Sequence, residues 1–220
     1  MRRQEVNYAD YSIIQFLQEV ACGQYAPGGG CVTALVGALC TALIEMITNL
    51  TVDRKKYAAY SDEMKMVRTE VSLLREDLIH FIDDDAKSIQ RVLDAQKMPD
   101  KTEEERKEKK TELEQALYNA SLIPLNVARK CLETFAFVDV VIKRGNVNAA
   151  TDAKVAAVLL RSAIYGAIYN VQTNIDRLAD SSLVFELSSE IQDILLRADE
   201  FERRAIHHRK EGETYDQNRR

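Results

Sequence analysis

Apolar side chains recur at intervals of three and four residues along most of the chain, the spacing of one face of an α-helix. This pattern predicts about six helices joined by polar turns. The first runs from about Ser12 to Gly23, and Ser12 with Gln15 has the sequence of a capping box. The other helices are predicted at about 31–51, 61–95, 102–142, 149–177 and 183–210.

Breakers and capping residues refine these boundaries. Thr102 with Glu105 predicts a second capping box at the start of the fourth helix. Pro124 lies inside that helix and predicts a kink or a break, because proline has no N–H to donate. Gly145 suits a left-handed helix stop, and either Asn148 or Thr151 is expected to cap the fifth helix.

The composition supports one all-α fold. Only 3 prolines and 8 glycines occur in 220 residues, and no linker divides the chain. We therefore expect a single domain over residues 1–220, built as a multi-helix bundle of about six long helices. Residues 1–10 and 212–220 are polar stretches that we expect to be loose.

Charge and cysteine usage narrow the class of partner. The net charge of −5 gives no electrostatic reason to expect a nucleic acid. Residues 31–44 carry no charge, but this stretch is shorter than the ~20 residues that span a bilayer, so we expect a buried core helix and no membrane. No metal-binding spacing is found among the four cysteines, Cys22, Cys31, Cys40 and Cys131. We therefore expect free thiols and no metal site. We also expect a cytoplasmic protein without a signal peptide.

A glycine run precedes the least charged helix. Three consecutive glycines are costly inside a helix or strand, so they predict a tight turn. The helix that follows has Ala34, Ala38 and Ala42 on one face, where another backbone can approach closely. Free N–H groups at its start favour an anion or a carbonyl oxygen. We therefore expect one wall of a small-molecule site to be formed by Pro27, Gly28, Gly29, Gly30 and Cys31.

A second polar loop precedes the fifth helix, which is also rich in small residues. Asn146 and Asn148 lie in this loop, and Asp152 lies at the start of the helix. If the two loops meet at one end of a bundle, they form a pocket that several helix N-termini and Asp152 face. The pattern therefore predicts that both loops line one site.

Several motifs in a fixed order resemble the cyclodeaminase/cyclohydrolase family of folate enzymes, over about residues 12–205. The motifs are Ala26-Pro27-Gly28-Gly29-Gly30, Asn49-Leu50-Thr51, Lys55-Lys56-Tyr57, Asp85-Ala86, Met98-Pro99, Pro124-Leu125-Asn126-Val127-Ala128, Gly145-Asn146-Val147-Asn148 and Thr151-Asp152-Ala153.

The resemblance implies an all-helical homodimer or higher oligomer that binds a tetrahydrofolate one-carbon derivative near a subunit interface, with no other cofactor. The expected activity is hydrolysis of 5,10-methenyltetrahydrofolate to 10-formyltetrahydrofolate. The alternative is a formiminotetrahydrofolate cyclodeaminase that releases ammonia. A third possibility is a folate-binding bundle without catalysis, since Cys31 stands where the family usually has serine and a thiol is the weaker donor.

Both reactions of the family need a general acid or base and a group that stabilises a cation. Asp152 is the first candidate for the base or cation partner, although a carboxylate at a helix start is also favoured by the helix dipole alone. Asp85 is the second candidate carboxylate. It belongs to the triplet 83–85, of which at most one or two members can face inward, because successive helical residues turn by ~100°.

Basic and amide side chains complete the expected site. Lys55 and Lys56 are candidates to bind the glutamate tail of folate, and Lys56 is also a candidate proton donor; an exposed basic patch is the alternative. Asn146 and Asn148 are candidates to hydrogen-bond the pterin ring, or are simply turn and cap residues. Cys31 is a less favoured candidate nucleophile, whose thiol pKa a helix N-terminus would lower.

Overall fold

The computed structural model describes residues 6–207. The expected loose segments at 1–5 and 212–220, and the predicted end of the last helix at Lys210, lie outside these residues. Within them the all-α class is confirmed, and no strand occurs. The helices are α1 (Ile13–Ala21), α2 (Gly29–Asn49), α3 (Ser61–Gln96), α4 (Glu103–Arg144), α5 (Ala150–Ile175) and α6 (Ser181–His207), with three short 3₁₀ turns at Tyr8–Asp10, Lys55–Tyr60 and Val147–Ala149.

Helices α2 to α5 form an antiparallel four-helix bundle in which each helix packs on its two neighbours around a square. Helix α6 covers the side made by α4 and α5. The Arg129 guanidinium on α4 binds both carboxylate oxygens of Glu190 on α6, with N–O distances of 2.6 Å. The rings of Phe135 and Phe201 stack between the same two helices, 5.6 Å apart. The outer side of α2 and α5 has no helix over it in the described chain.

The local start signals are confirmed. Ser12 and Gln15 form a reciprocal capping box at the start of α1. Thr102 and Glu105 do the same at the start of α4. Gly23, after α1, has a φ of +80°, a left-handed conformation that favours glycine. These features depend on residues within four positions of one another, which is why the sequence reveals them.

Small residues on α2 and α5 allow the close packing that the sequence predicts. A Cβ at Gly37 would lie 2.7 Å from Cys131 Sγ on α4, and one at Gly166 would lie 2.7 Å from Thr33 Cγ2. Ala34 and Ala38 are buried. Helix α2 is also long and apolar enough to span a membrane, but more than half of its most apolar window is buried inside the bundle. Burial on this scale is typical of a core helix.

Helix α4 continues through Pro124, so of the kink or break that the sequence predicts, the break does not occur. Proline at this position leaves the carbonyl of Ala120, four residues earlier, without its helical donor. The side-chain amide of Asn174 on α5 donates to that carbonyl oxygen at 3.0 Å, and both groups are buried. The bundle thus supplies the missing donor from another helix, and α4 remains one helix of 42 residues.

The predicted stop and cap before α5 are also wrong. Gly145 has φ −77° and ψ 179°, which is extended and not left-handed. A glycine is needed there for space, because a Cβ would overlap the carbonyl oxygen of Val141 and lie 3.0 Å from Ile47 Cγ2. Neither Asn148 nor Thr151 caps α5. Instead, Asn146 Oδ1 accepts from the Asn148 N–H and caps the short 3₁₀ turn.

Replacing Asn174 tests the cross-helix hydrogen bond. We expect Asn174→Ala to lower the free energy of unfolding by about 1–3 kcal/mol, because the Ala120 carbonyl becomes a buried acceptor without a donor. In a Pro124→Ala background, Asn174→Ala should lower the free energy of unfolding by less, because alanine at position 124 has an N–H that can bond to the Ala120 carbonyl. Urea denaturation of the four proteins measures both costs. Equal costs in the two backgrounds would contradict this account of Pro124.

Candidate active site

The sequence predicted a separate tight turn for the glycine run. The structure instead has these glycines at the start of α2 itself. Gly28 is the N-cap, and Gly29 and Gly30 are the first two helical residues. Gly28 has no side chain to accept hydrogen bonds from the first turn. Those N–H groups therefore need an acceptor from elsewhere in the fold.

That acceptor is Asp85 on α3. The buried carboxylate accepts a hydrogen bond from the thiol of Cys31, with Sγ 3.2 Å from Oδ2, and the backbone N–H of Cys31 also stabilises its charged form. A Cβ at Gly30 would overlap the carboxylate, so glycine provides the space that Asp85 fills. The sequence predicted an anion at this helix start. The structure places one of the chain's own carboxylates there, where the helix dipole also favours it.

Burial dominates the ionisation of this pair. It raises the pKa of the Asp85 carboxyl, while the hydrogen bonds from Cys31 act in the opposite direction. Burial, followed by the nearby Asp85 carboxylate, raises the pKa of the Cys31 thiol well above its usual value. The expectation that the helix N-terminus would lower the thiol pKa is therefore wrong, and the geometry does not favour a Cys31 nucleophile.

Asp83, two residues before Asp85 on α3, is also a carboxylate that accepts a backbone N–H. Its Oδ1 accepts the backbone N–H of Tyr8 at 2.6 Å, and the backbone N–H of Ala9 also stabilises its charged form. Asp83 and Asp85 are buried while Asp84 is only half-buried, which confirms that at most two members of the triplet face inward. Residues 8–10, which we expected to be loose, form a 3₁₀ turn against α3.

A cleft of about 340 Å³ lies beside the glycine run. Its walls come from the N-terminal segment, from the loop that leads to Pro27 and from α3. The lining residues include hydrogen-bonding and apolar side chains: Val6, Tyr8, Gln24, Tyr25, Ala26, Ala86, Lys87, Ile89, Gln90 and Leu93. Asp85 lies behind this lining, next to Ala86. We call Pro27–Cys31, Asp85 and this cleft the glycine end of the bundle.

The predicted lysines and asparagines meet elsewhere. The hydroxyl of Tyr57 accepts the backbone N–H of Val147 at 3.0 Å and joins the 3₁₀ turn after α2 to the loop before α5. Lys55 and Lys56 are exposed on that turn, and Lys56 Nζ lies 5.4 Å from the Tyr57 ring centre. Asn148 is exposed on the loop. These side chains share one surface.

Asn146 fixes this surface to the end of α2. It is 5% exposed, and its amide donates to the Leu50 carbonyl at 3.0 Å while its backbone N–H donates to Thr51 Oγ1 at 2.9 Å. Its side-chain oxygen is taken by the Asn148 N–H. These bonds favour the turn-and-cap alternative for Asn146 over direct contact with a ligand.

Asp152 belongs to the same region. It is half-buried on the first turn of α5, three residues after the 3₁₀ turn Val147–Ala149. We call the group Lys55, Lys56, Asn146, Asn148 and Asp152 the lysine–asparagine end.

The two groups lie at opposite ends of α2. This helix has 21 residues, a length of roughly 30 Å at ~1.5 Å per residue. Gly30 contacts Asp85 at its start, and Leu50 contacts Asn146 at its end. The expectation that the two loops line one pocket is therefore wrong within a single chain. A pocket made of both groups requires a second copy.

Two polar residues were not predicted as part of either end. Asn170 on α5 lies beside the start of α2, where a Cβ at Gly29 would be 3.4 Å from its Oδ1, and its amide donates to the Gly166 carbonyl at 2.8 Å. Tyr57 connects the two loops of the lysine–asparagine end. An asparagine within an apolar small-residue helix was the available signal for Asn170, while Tyr57 was marked only as the last residue of the motif Lys55-Lys56-Tyr57.

No group of three or more His, Cys, Asp or Glu side chains is arranged to hold a metal ion within residues 6–207. The arrangement instead offers half-buried and exposed carboxylates, exposed ammonium groups and amides around open surfaces. Such groups can transfer protons, oppose a cation and bind carboxylates.

Comparison with known proteins gives consistent results. A family model described as formiminotransferase-cyclodeaminase matches residues 12–193. A methenyltetrahydrofolate cyclohydrolase from Methylorubrum extorquens is 32% identical over 187 residues, which cover 85% of this chain and 90% of that protein. A formimidoyltransferase-cyclodeaminase from Rattus norvegicus is 29% identical over 88% of this chain, which spans only 36% of the rat protein.

A solved structure agrees at the level of the fold. The formiminotetrahydrofolate cyclodeaminase from Thermotoga maritima superposes with a TM-score of 0.81 at 26% identity. The match covers 89% of this chain and 94% of the Thermotoga chain.

Alanine at two adjacent glycines tests the packing of Asp85. We expect Gly30→Ala to lower the free energy of unfolding by about 1–3 kcal/mol or more, because the new methyl group displaces a buried carboxylate. Gly29→Ala is the matched control, since its methyl group meets Asn170 at 3.4 Å and alanine gains up to ~1 kcal/mol of helix propensity. Urea denaturation compares them. Equal stability of the two variants would contradict the assigned position of Asp85.

Proposed function

We propose that this chain, which belongs to the formiminotransferase-cyclodeaminase family, is a one-carbon folate enzyme that hydrolyses 5,10-methenyltetrahydrofolate to 10-formyltetrahydrofolate. The observation that carries this proposal is the likeness to a methenyltetrahydrofolate cyclohydrolase, 32% identical along 90% of that protein. The second candidate is formiminotetrahydrofolate cyclodeamination, which the fold of the Thermotoga maritima enzyme supports. Under either proposal the folate is the substrate and no further cofactor takes part.

The hydrolysis has three chemical requirements. The methenyl carbon lies between two nitrogens that share a positive charge, and water adds to this carbon with loss of a proton. The hydroxyl of the tetrahedral adduct then loses its proton as the carbon–N5 bond breaks, N5 receives a proton, and the formyl group stays on N10. A carboxylate that opposes the cation and accepts the proton of water, and an acid that protonates N5, satisfy these requirements.

The residues of the lysine–asparagine end fit these roles. We assign Asp152 as the carboxylate, since it is half-buried at the mouth of the loop. Lys56 is the candidate acid, and Lys55 with Lys56 can bind the carboxylates of the glutamate tail. The exposed amide of Asn148 can hydrogen-bond the pterin ring, and Asn146 holds the loop in place.

We further propose that the enzyme is a homodimer through the outer side of α2 and α5. This side is apolar along the whole of α2, and several large side chains are between a third and two thirds exposed: Leu39, Met46, Leu50, Val155, Val158 and Tyr169. Continuous exposed apolar surface of this kind marks an interface. The single charged residue of α2, Glu45, is paired with Arg75 on α3 and stays away from this side.

An antiparallel arrangement of the two α2 helices explains the separated groups. A two-fold axis perpendicular to α2 brings the glycine end of one copy beside the lysine–asparagine end of its partner. Each dimer then contains two equivalent sites, and each site takes residues from both chains. We also propose that the enzyme acts in the cytoplasm, where its free thiols stay reduced.

Two assays on one preparation separate the candidate reactions. We expect loss of methenyltetrahydrofolate absorbance without ammonia release from formiminotetrahydrofolate. Asp152→Asn should lower turnover at least roughly tenfold, the lower range for a general acid–base group. Asp176→Asn, an exposed aspartate just after α5, is the matched control and should retain full activity. Ammonia release would favour the second candidate, and folate binding without either activity would leave only a binding protein.

Mixing two inactive variants tests the shared site. We choose Asp85→Asn, which weakens the support of the glycine run, and Lys56→Met, which removes the candidate acid; each is first shown to be folded and inactive by itself. After random exchange of subunits, about half of the dimers are mixed and each mixed dimer has one site without substitutions, so about a quarter of wild-type activity should return. Activity no higher than that of the separate variants would contradict the shared site, and a monomer by sedimentation would contradict the dimer.

A further inference from the structure

The segment before α1 forms the outer wall of the cleft at the glycine end. We call residues 6–11 the strap. Val6 and Tyr8 of the strap line the cleft opposite the α3 residues Ile89 and Leu93. If the strap moved away, the cleft would lose this wall and open to solvent.

Within the described residues the strap has a polar attachment to α3. The Asp83 carboxylate, 8% exposed, accepts the backbone N–H of Tyr8 at 2.6 Å. This N–H is a free donor at the start of the 3₁₀ turn Tyr8–Asp10, and a carboxylate there makes a charge-assisted hydrogen bond. Asp10 and Lys87 are the other charged groups near this carboxylate.

The strap has two further attachments among the described residues. The Tyr8 hydroxyl donates to the Ala26 carbonyl at 3.2 Å, and the rings of Tyr8 and Tyr11 pack, partly buried, against the hydrophobic core. Helix α1, which follows the strap, buries only Phe16, while Ile13 is 79% exposed. Helix α1 therefore gives the strap little buried support on its C-terminal side, and Asp83 is the charged anchor that holds it to α3.

We propose that Asp83 is a positioning residue for substrate binding: it holds the strap as the outer wall of the cleft beside Gly28, and thereby sets the affinity for the folate. Asp83 does not contact the reacting atoms in this account. The proposal rests on the proposed function, which makes the glycine end one half of the site. It predicts an effect on KM with little effect on kcat, because closing a wall improves substrate binding and transition-state binding equally.

Three variants of the acidic triplet test the proposal. Asp83→Ala removes the acceptor and keeps a good helix former in α3. Asp83→Asn retains a side-chain oxygen that can accept from Tyr8, so this variant should stay close to the wild type in both measurements. Asp84→Ala, at the adjacent half-buried carboxylate, is the matched control. All three proteins are compared as the full chain with the wild type.

The first measurement is amide hydrogen exchange of the strap. We expect the amide of Tyr8 to exchange at least about tenfold faster in Asp83→Ala, because it loses a hydrogen bond to a charged group. Asp84→Ala should match the wild type. Unchanged exchange in Asp83→Ala would overturn the role of Asp83 as the anchor.

The second measurement is steady-state kinetics with the folate that the wild type turns over. We expect KM to rise roughly tenfold in Asp83→Ala with kcat within about twofold of the wild type, and Asp83→Asn to fall close to the wild type. Faster exchange with an unchanged KM would overturn the inference, because the strap would then not form a wall of the site. A fall in kcat alone would overturn it as well. A wild type that turns over neither folate would instead refute the proposed function, and this inference with it.

Discussion

The fold depends on a carboxylate from α3 that occupies the start of α2. Gly28 gives α2 no side-chain cap, and Asp85 supplies the missing acceptor across the space left by Gly30. The helix dipole and the N–H of Cys31 make this position favourable for a buried negative charge. The same contact fixes α3 against α2 at the glycine end. A feature that would serve as an anion site on an isolated helix is therefore part of the internal structure of the bundle.

Small residues extend this close packing along the bundle and determine what surrounds the site. Gly37 admits Cys131, and Gly166 admits Thr33. Close helices leave few unpaired polar groups in the described core, and the exception created by Pro124 is resolved by Asn174. A rigid bundle of this kind holds its two ends about one α2 length apart. This separation is why the proposed site takes residues from two chains.

In the acidic triplet 83–85, the local sequence predicts how many side chains face inward, while the tertiary structure decides what they bind. The helical period predicted correctly that at most two of the three aspartates face inward. It did not predict that each inward carboxylate caps a different helix start, Asp85 at α2 and Asp83 at the 3₁₀ turn of residues 8–10. The partners of Asp83 and Asp85 are 75 and 54 residues away in sequence. Periodicity carries no information about such distant pairs.

The sequence alone determined the helices, the capping boxes at Ser12 and Thr102, the burial of the uncharged helix and the family resemblance, because each depends on neighbouring residues or on their order. Only the tertiary structure decided that α4 passes through Pro124, that Gly145 is extended, and that the candidate residues separate into two groups. Those outcomes depend on which distant group fills a space or satisfies a free backbone atom. Asn174, Ile47 and Asn146 do so here, and their spacing in the sequence does not reveal it.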